Sequence, residues 1–257
     1  MAIFRTQGIV LRSIEYGEAD LIITFFTFEK GRLKGLAKGC RRTKSRFGSS
    51  FEPFTHTRLG LYGRENTSLF RVTQSDIIHS FHRLRDDMVN LGYASYMSDL
   101  IDESSPECEP NHELFTLFIQ SLRFIESGEE PDTISKIFQI KLLNLLGYRP
   151  EITRCNYCGS SINNSPVNFY PSHGGAICDR CRSEIDGSCF IIGNGTTNFF
   201  HKAIEIEVNK INRLKLTPQI KMELNSALLS YFSYILGRRP RSYSVLEQLE
   251  RRDGCIA

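Results

Sequence analysis

The sequence predicts an α+β chain in which a small five-stranded barrel comes first, a helical domain follows, and a cysteine-rich insertion interrupts the helices. Three observations carry that prediction. From residue 3 to about residue 76, short β-rich runs alternate with turn residues. Beyond that point the apolar residues step by threes and fours, as on one face of a helix. Between two helical blocks, Cys155-x2-Cys158 is followed, after nineteen intervening residues, by Cys178-x2-Cys181. The boundaries expected from these changes are 1–80, 81–150, 151–190 and 191–257.

The β-rich runs fall at 3–14, 20–29, 32–38, 54–62 and 68–74. Glu29-Lys30-Gly31 reads as a tight turn and Tyr62-Gly63-Arg64-Glu65-Asn66 as a longer hairpin loop. Five strands with a long excursion after the third suit an oligonucleotide-binding (OB) barrel or an SH3-like barrel, and periodicity does not separate the two. Then Phe81, Leu84, Met88, Leu91, Ala94, Met97 and Ile101 mark a first helix. A second is expected over 113–125, and a third from Asp132 as N-cap to Gly147 as stop, with Pro150 beyond. The third is apolar on most sides, which places it centrally among the helices. A helix over about 196–214 precedes one that begins at Thr217-Pro218, follows Ile220, Leu224, Ala227, Tyr231 and Ile235, and ends at Gly237.

With 257 residues, 40% of them hydrophobic, the chain is long enough to bury a large core. Arg5, Arg12, Glu15, Glu18 and Asp20 interrupt the N-terminal apolar run, so it does not read as a secretory signal, and no stretch reads as a membrane span. A cytoplasmic protein is expected. In a reducing compartment the cysteines are read for metal rather than for disulfides. Paired Cys-x2-Cys turns aim four thiolates at one ion, and Zn2+ is the usual occupant of such a shell. Cys155, Cys158, Cys178 and Cys181 are therefore the candidate ligands of one structural zinc, with no open position for catalysis. Gly159 and Gly174-Gly175 supply backbone freedom, while His173, Cys40, Cys108, Cys189 and Cys255 fall outside the ligand spacing.

The other concentrated feature is charge. Lys30, Arg32, Lys34, Lys38, Arg41, Arg42, Lys44 and Arg46 lie within seventeen positions that contain no carboxylate. The chain's net charge is +3, so these eight cations leave −5 for everything else. Cations this dense repel one another unless a polyanion relieves them, and nucleic acid is the commonest such partner. Phe25, Phe28, Phe47 and Tyr62 are nearby candidates for base stacking, although strand alternation sends Phe25 or Phe26 into the core. No phosphate-cradling Gly-x4-Gly-Lys loop, His-Glu-x2-His helix or Gly-x-Ser-x-Gly turn is present, and Gly193-Asn-Gly195 has Asn198 where a dinucleotide fingerprint needs glycine. A non-enzymatic role is expected. Two rival readings stand beside DNA binding: an RNA-binding accessory factor, and an interaction scaffold whose basic run only aids solubility.

Four stretches, QGIVLRSIEYGEADLIITFFTFEKGRLKGLAKGCRR, SRFGSSFEPF, LLNLLGYRPEITRCNYCG and GGAICDRC, resemble in order the RecO family of bacterial recombination mediators. The resemblance covers nearly the whole chain, and Glu52 departs from the neutral residue its pattern carries. It implies an N-terminal OB-fold, a helical domain with a zinc-binding insertion and no enzymatic activity. It further implies binding of single- and double-stranded DNA, annealing of complementary strands, and loading of RecA with RecR, often with RecF, on DNA coated by single-strand-binding protein. The expected setting is the cytoplasm, at the nucleoid. The apolar and basic mixture around Arg123, Lys136, Lys141 and Arg149 is the candidate surface for that coating protein's acidic C-terminal tail.

Overall fold

In the computed structural model the described residues are 2–64, 67–162 and 166–252, so Glu65, Asn66 and Cys255 lie outside them. The chain divides into two compact units, Met1–Glu126 with Ser244–Ala257, and Ser127–Tyr243.

The first unit opens with β1 (Ala2–Tyr16), β2 (Asp20–Thr27), β3 (Gly31–Ala37), β4 (His56–Gly63) and β5 (Phe70–His79). They close in the order β1-β2-β3-β5-β4. β1 is long enough to serve two neighbours. Ala2–Ile9 pair with β4 and Gly8–Tyr16 with β2, and the register of the β1–β2 ladder slips at Leu11. A short parallel contact, Gly35 with Phe70 and Leu36 with Arg71, joins β3 to β5. This order is that of the OB barrel, so closure decides what strand count left open.

Alternate side chains fill the barrel: Val10, Ile23, Phe25, Leu33, Leu59, Leu61, Phe70 and Val72 form its core, and Phe47 and Phe51 plug it from the long connection after β3. At the β2–β3 turn, Gly31 is required. Its φ is +63°, and a Cβ there would lie 1.9 Å from the Glu109 carbonyl oxygen.

The helix expected from Phe81 onward is two. α1 (His82–Asp86) stops at Asp87, whose side chain caps α2 (Met88–Ser104) by accepting from the Asn90 N–H. Asp87 is extended and its carboxylate competes for the next turn's amide, which apolar spacing cannot register. α3 (His112–Glu126) follows. α7 (Tyr243–Arg252), absent from the sequence reading, returns to α2: Leu246 and Leu249 lie against Gly92, and Tyr93 donates to the Glu250 carboxylate.

In the second unit α4 (Pro131–Leu145) is buried nearly all round. Its N-cap is Glu130, accepting from the Thr133 N–H at 2.7 Å, and not Asp132. Asp132 is instead 1% exposed and paired with Lys221 at 3.0 Å and Lys136 at 3.6 Å. β6 (Val167–Tyr170), β7 (Gly175–Ile177) and β8 (Phe190–Ile192) make a small sheet ordered β7-β6-β8. The helix expected over 196–214 is α5 (Asn194–Glu205) followed by a 3-10 turn over Val208–Arg213. α6 (Pro218–Leu236) starts and stops as read, with Thr217 accepting from the Ile220 N–H and Gly237 at φ 69°.

Candidate metal centre and nucleic-acid interface

Two tight turns build the cysteine cluster. In the first, Gly159 donates its N–H to the Cys155 carbonyl at 2.8 Å, and Cys155 donates to Ser160 at 2.8 Å. The second leaves β7 directly: Cys181 donates to the Cys178 carbonyl at 3.0 Å. The turns are tied together where Asn156 donates to Ala176 at 2.9 Å and the Cys178 N–H reaches the Cys155 sulfur at 3.3 Å. Gly175 permits this approach, because a Cβ there would sit 2.0 Å from the Glu151 oxygen.

The four Sγ atoms lie within 4.8 Å of one another, and Cys158 and Cys178 are 3.8 Å apart. Zn–S bonds of about 2.3 Å in a tetrahedron place sulfurs about 3.8 Å apart, so the donor set fits a closed four-thiolate shell. The Ser160 hydroxyl and N–H hold Cys158 down to about 6, and Cys178 is lowered by the Cys181 N–H, whereas burial and then the neighbouring thiols push Cys181 up to about 12. Binding a divalent cation here would displace the remaining thiol protons and make all four sulfurs ligands. His173 turns elsewhere, its ring meeting Ser172 at 3.0 Å. Cys40 is half-buried against the barrel core and burial raises its thiol, so its cationic neighbours do not activate it.

The eight cations of the basic run are not equivalent. Arg32 is held within the first unit: its Nε donates to the Ser105 carbonyl at 2.9 Å, and its Nη1 lies 3.3 Å from Asp102 and 3.4 Å from Glu107. Lys34 shares Glu107 at 3.5 Å, and Arg41 pairs with Glu15 at 2.8 Å. Lys30 lies 5.6 Å from the Phe4 ring centre and Arg46 4.8 Å from that of Phe47. Lys38, Arg42 and Lys44 are exposed and make no ion pair among the described residues. These three stand in the turn-rich connection between β3 and β4, which Gly39, donating to Asp20 at 2.7 Å, and Ser13, donating to the Phe51 carbonyl at 2.7 Å, fasten at its two ends. Glu52, in the same connection, pairs with Arg85 at 2.8 Å.

Of the four stacking candidates, Phe25 and Phe47 are corrected to core: they are 0% and 3% exposed and pack edge-on or tilted against Phe51. Phe26 is buried too, against Phe115 of α3, because a helix covers the outer side of β2. Phe28 stacks on His112 at 4.2 Å, and Tyr62 is 37% exposed. Two members of the candidate partner surface are corrected likewise. Lys136 pairs with Asp132 inside the second unit, and Lys141, 9% exposed, donates to the Ile204 carbonyl at 2.8 Å. Arg123 on α3 and Arg149 after α4 are exposed. The start of α5 that resembled a dinucleotide turn already holds an anion, since the Gly193 N–H donates to Glu223 at 2.8 Å.

Residues 1–81 match the family model for the recombination protein O N terminal, and residues 85–244 that for its C terminal. The chain belongs to the RecO family. Its relatives include the DNA repair protein RecO of Symbiobacterium thermophilum, 31% identical over 97% of this chain and 98% of that protein. Those of Halalkalibacterium halodurans and Thermodesulfovibrio yellowstonii are 30% and 34% identical, over 96% and 91% of this chain and 95% and 94% of theirs. In RecO terms, the N-terminal match covers the barrel and its basic connection, and the C-terminal match covers α2 to α6 with the cysteine cluster. Among the described residues no helix is long and apolar enough to cross a membrane.

Proposed function

We propose that this RecO-family chain is a DNA-binding recombination mediator that holds single- and double-stranded DNA, speeds pairing of complementary strands and helps load RecA together with RecR. One observation carries the reading: an OB barrel displays Lys38, Arg42 and Lys44 on an exposed connection with no carboxylate to neutralise them. Lys30, Lys34, Arg41 and Arg46 flank them and can exchange internal contacts for phosphates, whereas Arg32 stays committed to α2 and the segment beyond it. Gripping a backbone by charge leaves base edges free and screens repulsion between two strands, which favours annealing over simple coverage. Nothing in this scheme requires bond chemistry by the protein.

One Zn2+ held by Cys155, Cys158, Cys178 and Cys181 would order the insertion around β6 and β7. Single-strand-binding protein is the proposed further partner, its acidic tail meeting Arg149, beside the exposed Tyr148, or Arg123; RecF and RecA complete the set. The cytoplasm, at the nucleoid, is the proposed setting, and 1–80 is the proposed nucleic-acid-binding domain.

The test is annealing of two complementary DNA strands without ATP, by the full chain and by a Lys34→Ala/Lys38→Ala/Arg41→Ala/Arg42→Ala/Lys44→Ala variant. The variant should anneal at least about tenfold more slowly if five phosphate contacts are lost. An unchanged rate with the fold intact would remove the basic run from the function. Stronger binding to RNA than to DNA of the same sequence would favour the RNA-binding alternative.

A further inference from the structure

The outward side of β1, β4 and β5 carries a second set of cations, which meets the basic run at one edge, where Arg71 stands opposite Leu36 of β3, two residues from Lys34. Leu59 and Leu61 point into the core, so Arg58 and Tyr62 point out, and antiparallel register extends that face to both neighbours. Tyr62 stands opposite Ile3 on one side and Arg71 on the other. Arg5 lies two residues along β1 from Ile3, and Arg58 lies opposite Asp76. Arg5, Arg58 and Arg71 are exposed, and none makes an ion pair or hydrogen bond among the described residues. Asp76, the carboxylate on this face, accepts instead from Gln74 at 2.7 Å.

Arg5 and Arg58 are diagonal neighbours across β1 and β4, and Arg71 stands further along on β5 opposite Tyr62, so the three guanidiniums form a row across three strands that suits a repeating anion better than a single one. Between them stand an aromatic ring 37% exposed and the side chain of Ile3, 68% exposed, which a purely solvated charged face does not need. Cations interleaved with exposed apolar side chains on an OB barrel are the makings of a single-strand surface.

We infer that this β1–β4–β5 face binds a second nucleic-acid strand, the guanidiniums on its phosphates and Tyr62 against its bases. The inference rests on the proposed DNA-binding function and deepens it. One barrel then presents two strands at once, one on the connection after β3 and one here, and annealing follows from their juxtaposition on a single chain.

The experiment uses the full chain, an Arg5→Ala/Arg58→Ala/Arg71→Ala variant and a Lys38→Ala/Arg42→Ala/Lys44→Ala variant. The probes are two non-complementary DNA oligonucleotides of about twelve nucleotides, within the ~4–16 that one OB barrel covers. Native mass spectrometry counts strands per chain, and energy transfer between donor- and acceptor-labelled strands reports their proximity. The unmodified chain should hold two strands. The arginine variant should hold one, with affinity for a single strand within about threefold of the original and annealing at least about fivefold slower, as loss of three phosphate contacts on one face requires. The loop variant should lose the other strand. Two strands retained by the arginine variant, or only one held by the unmodified chain, overturns the second face while leaving the first reading intact. Unchanged stoichiometry and annealing would also mean that the face serves an acidic protein surface instead. No DNA bound by the unmodified chain would remove the reading on which the inference rests. Should the triple variant fail to fold, Arg58→Glu alone, on the strand farther from the basic run, must still abolish the second strand.

Discussion

His56 is 4% exposed, with its Nε2 3.2 Å from the Gln7 amide oxygen and its ring edge-on to Phe115. Burial first, then the positive charges of Arg123 and His79, push its imidazole down to about 4. The unfolded chain takes up this proton near pH 6.5 and the folded chain does not, so the folded state is at full advantage above that pH and loses it as pH falls towards 4. A loss of order 2 kcal/mol is expected across that window, read as the urea midpoint at about pH 7.5 and about pH 5. His56→Gln should flatten the dependence, and equal slopes in the two proteins would refute this account of His56. At the cysteine cluster, Cys158→Ser should abolish stoichiometric zinc, measured by chelator release. It should also lower the melting temperature while leaving single-strand affinity within about twofold, because metal binding is coupled to folding of the insertion. The quartet is legible in sequence because each pair is set by a local turn. Phe25 and Phe26 are not separable that way, since one faces the barrel core and the other faces α3, and only tertiary packing buries both.

At the scale of elements, β3 divides its cations by position. Arg32 pins the strand to the segment after α2, whose Cys108 N–H in turn donates to the Arg32 carbonyl at 2.8 Å. Its side chain is 16% exposed, so the contacts are partly shielded from water. Arg32→Gln should cost about 2 kcal/mol in chemical denaturation and change DNA affinity by less than about twofold. A large affinity loss without destabilisation would return Arg32 to the interface. The sequence names the basic run but not its internal anions, because Asp102 and Glu107 lie some seventy residues away in the chain. Long-range closure has the same effect on the fold. Strand count is local, whereas the β3–β5 contact that defines the OB order is two residue pairs formed across the chain. α6 was legible because Thr217, Pro218 and Gly237 mark its ends locally. Lys136 and Lys141 misled because apolar and basic residues on α4 suggest a surface, and only packing with Asp132 and the Ile204 carbonyl places them inside.

Across the whole molecule, charge is segregated: the basic run carries eight cations in a chain whose net charge is only +3. The structure reduces the eight to three that are wholly uncompensated and four more that an incoming phosphate can recruit. Counterion release at about 0.7 per contact on single strands then sets a log–log salt slope between about −2 and about −5. The most direct test is that slope, measured for one mixed-sequence DNA strand with the unmodified chain and with the Lys38→Ala/Arg42→Ala/Lys44→Ala variant. Weaker binding across all sequences and a slope shallower by about 2 is the predicted result. An unchanged slope and affinity in a folded variant would contradict the claim that this connection is where the chain holds DNA.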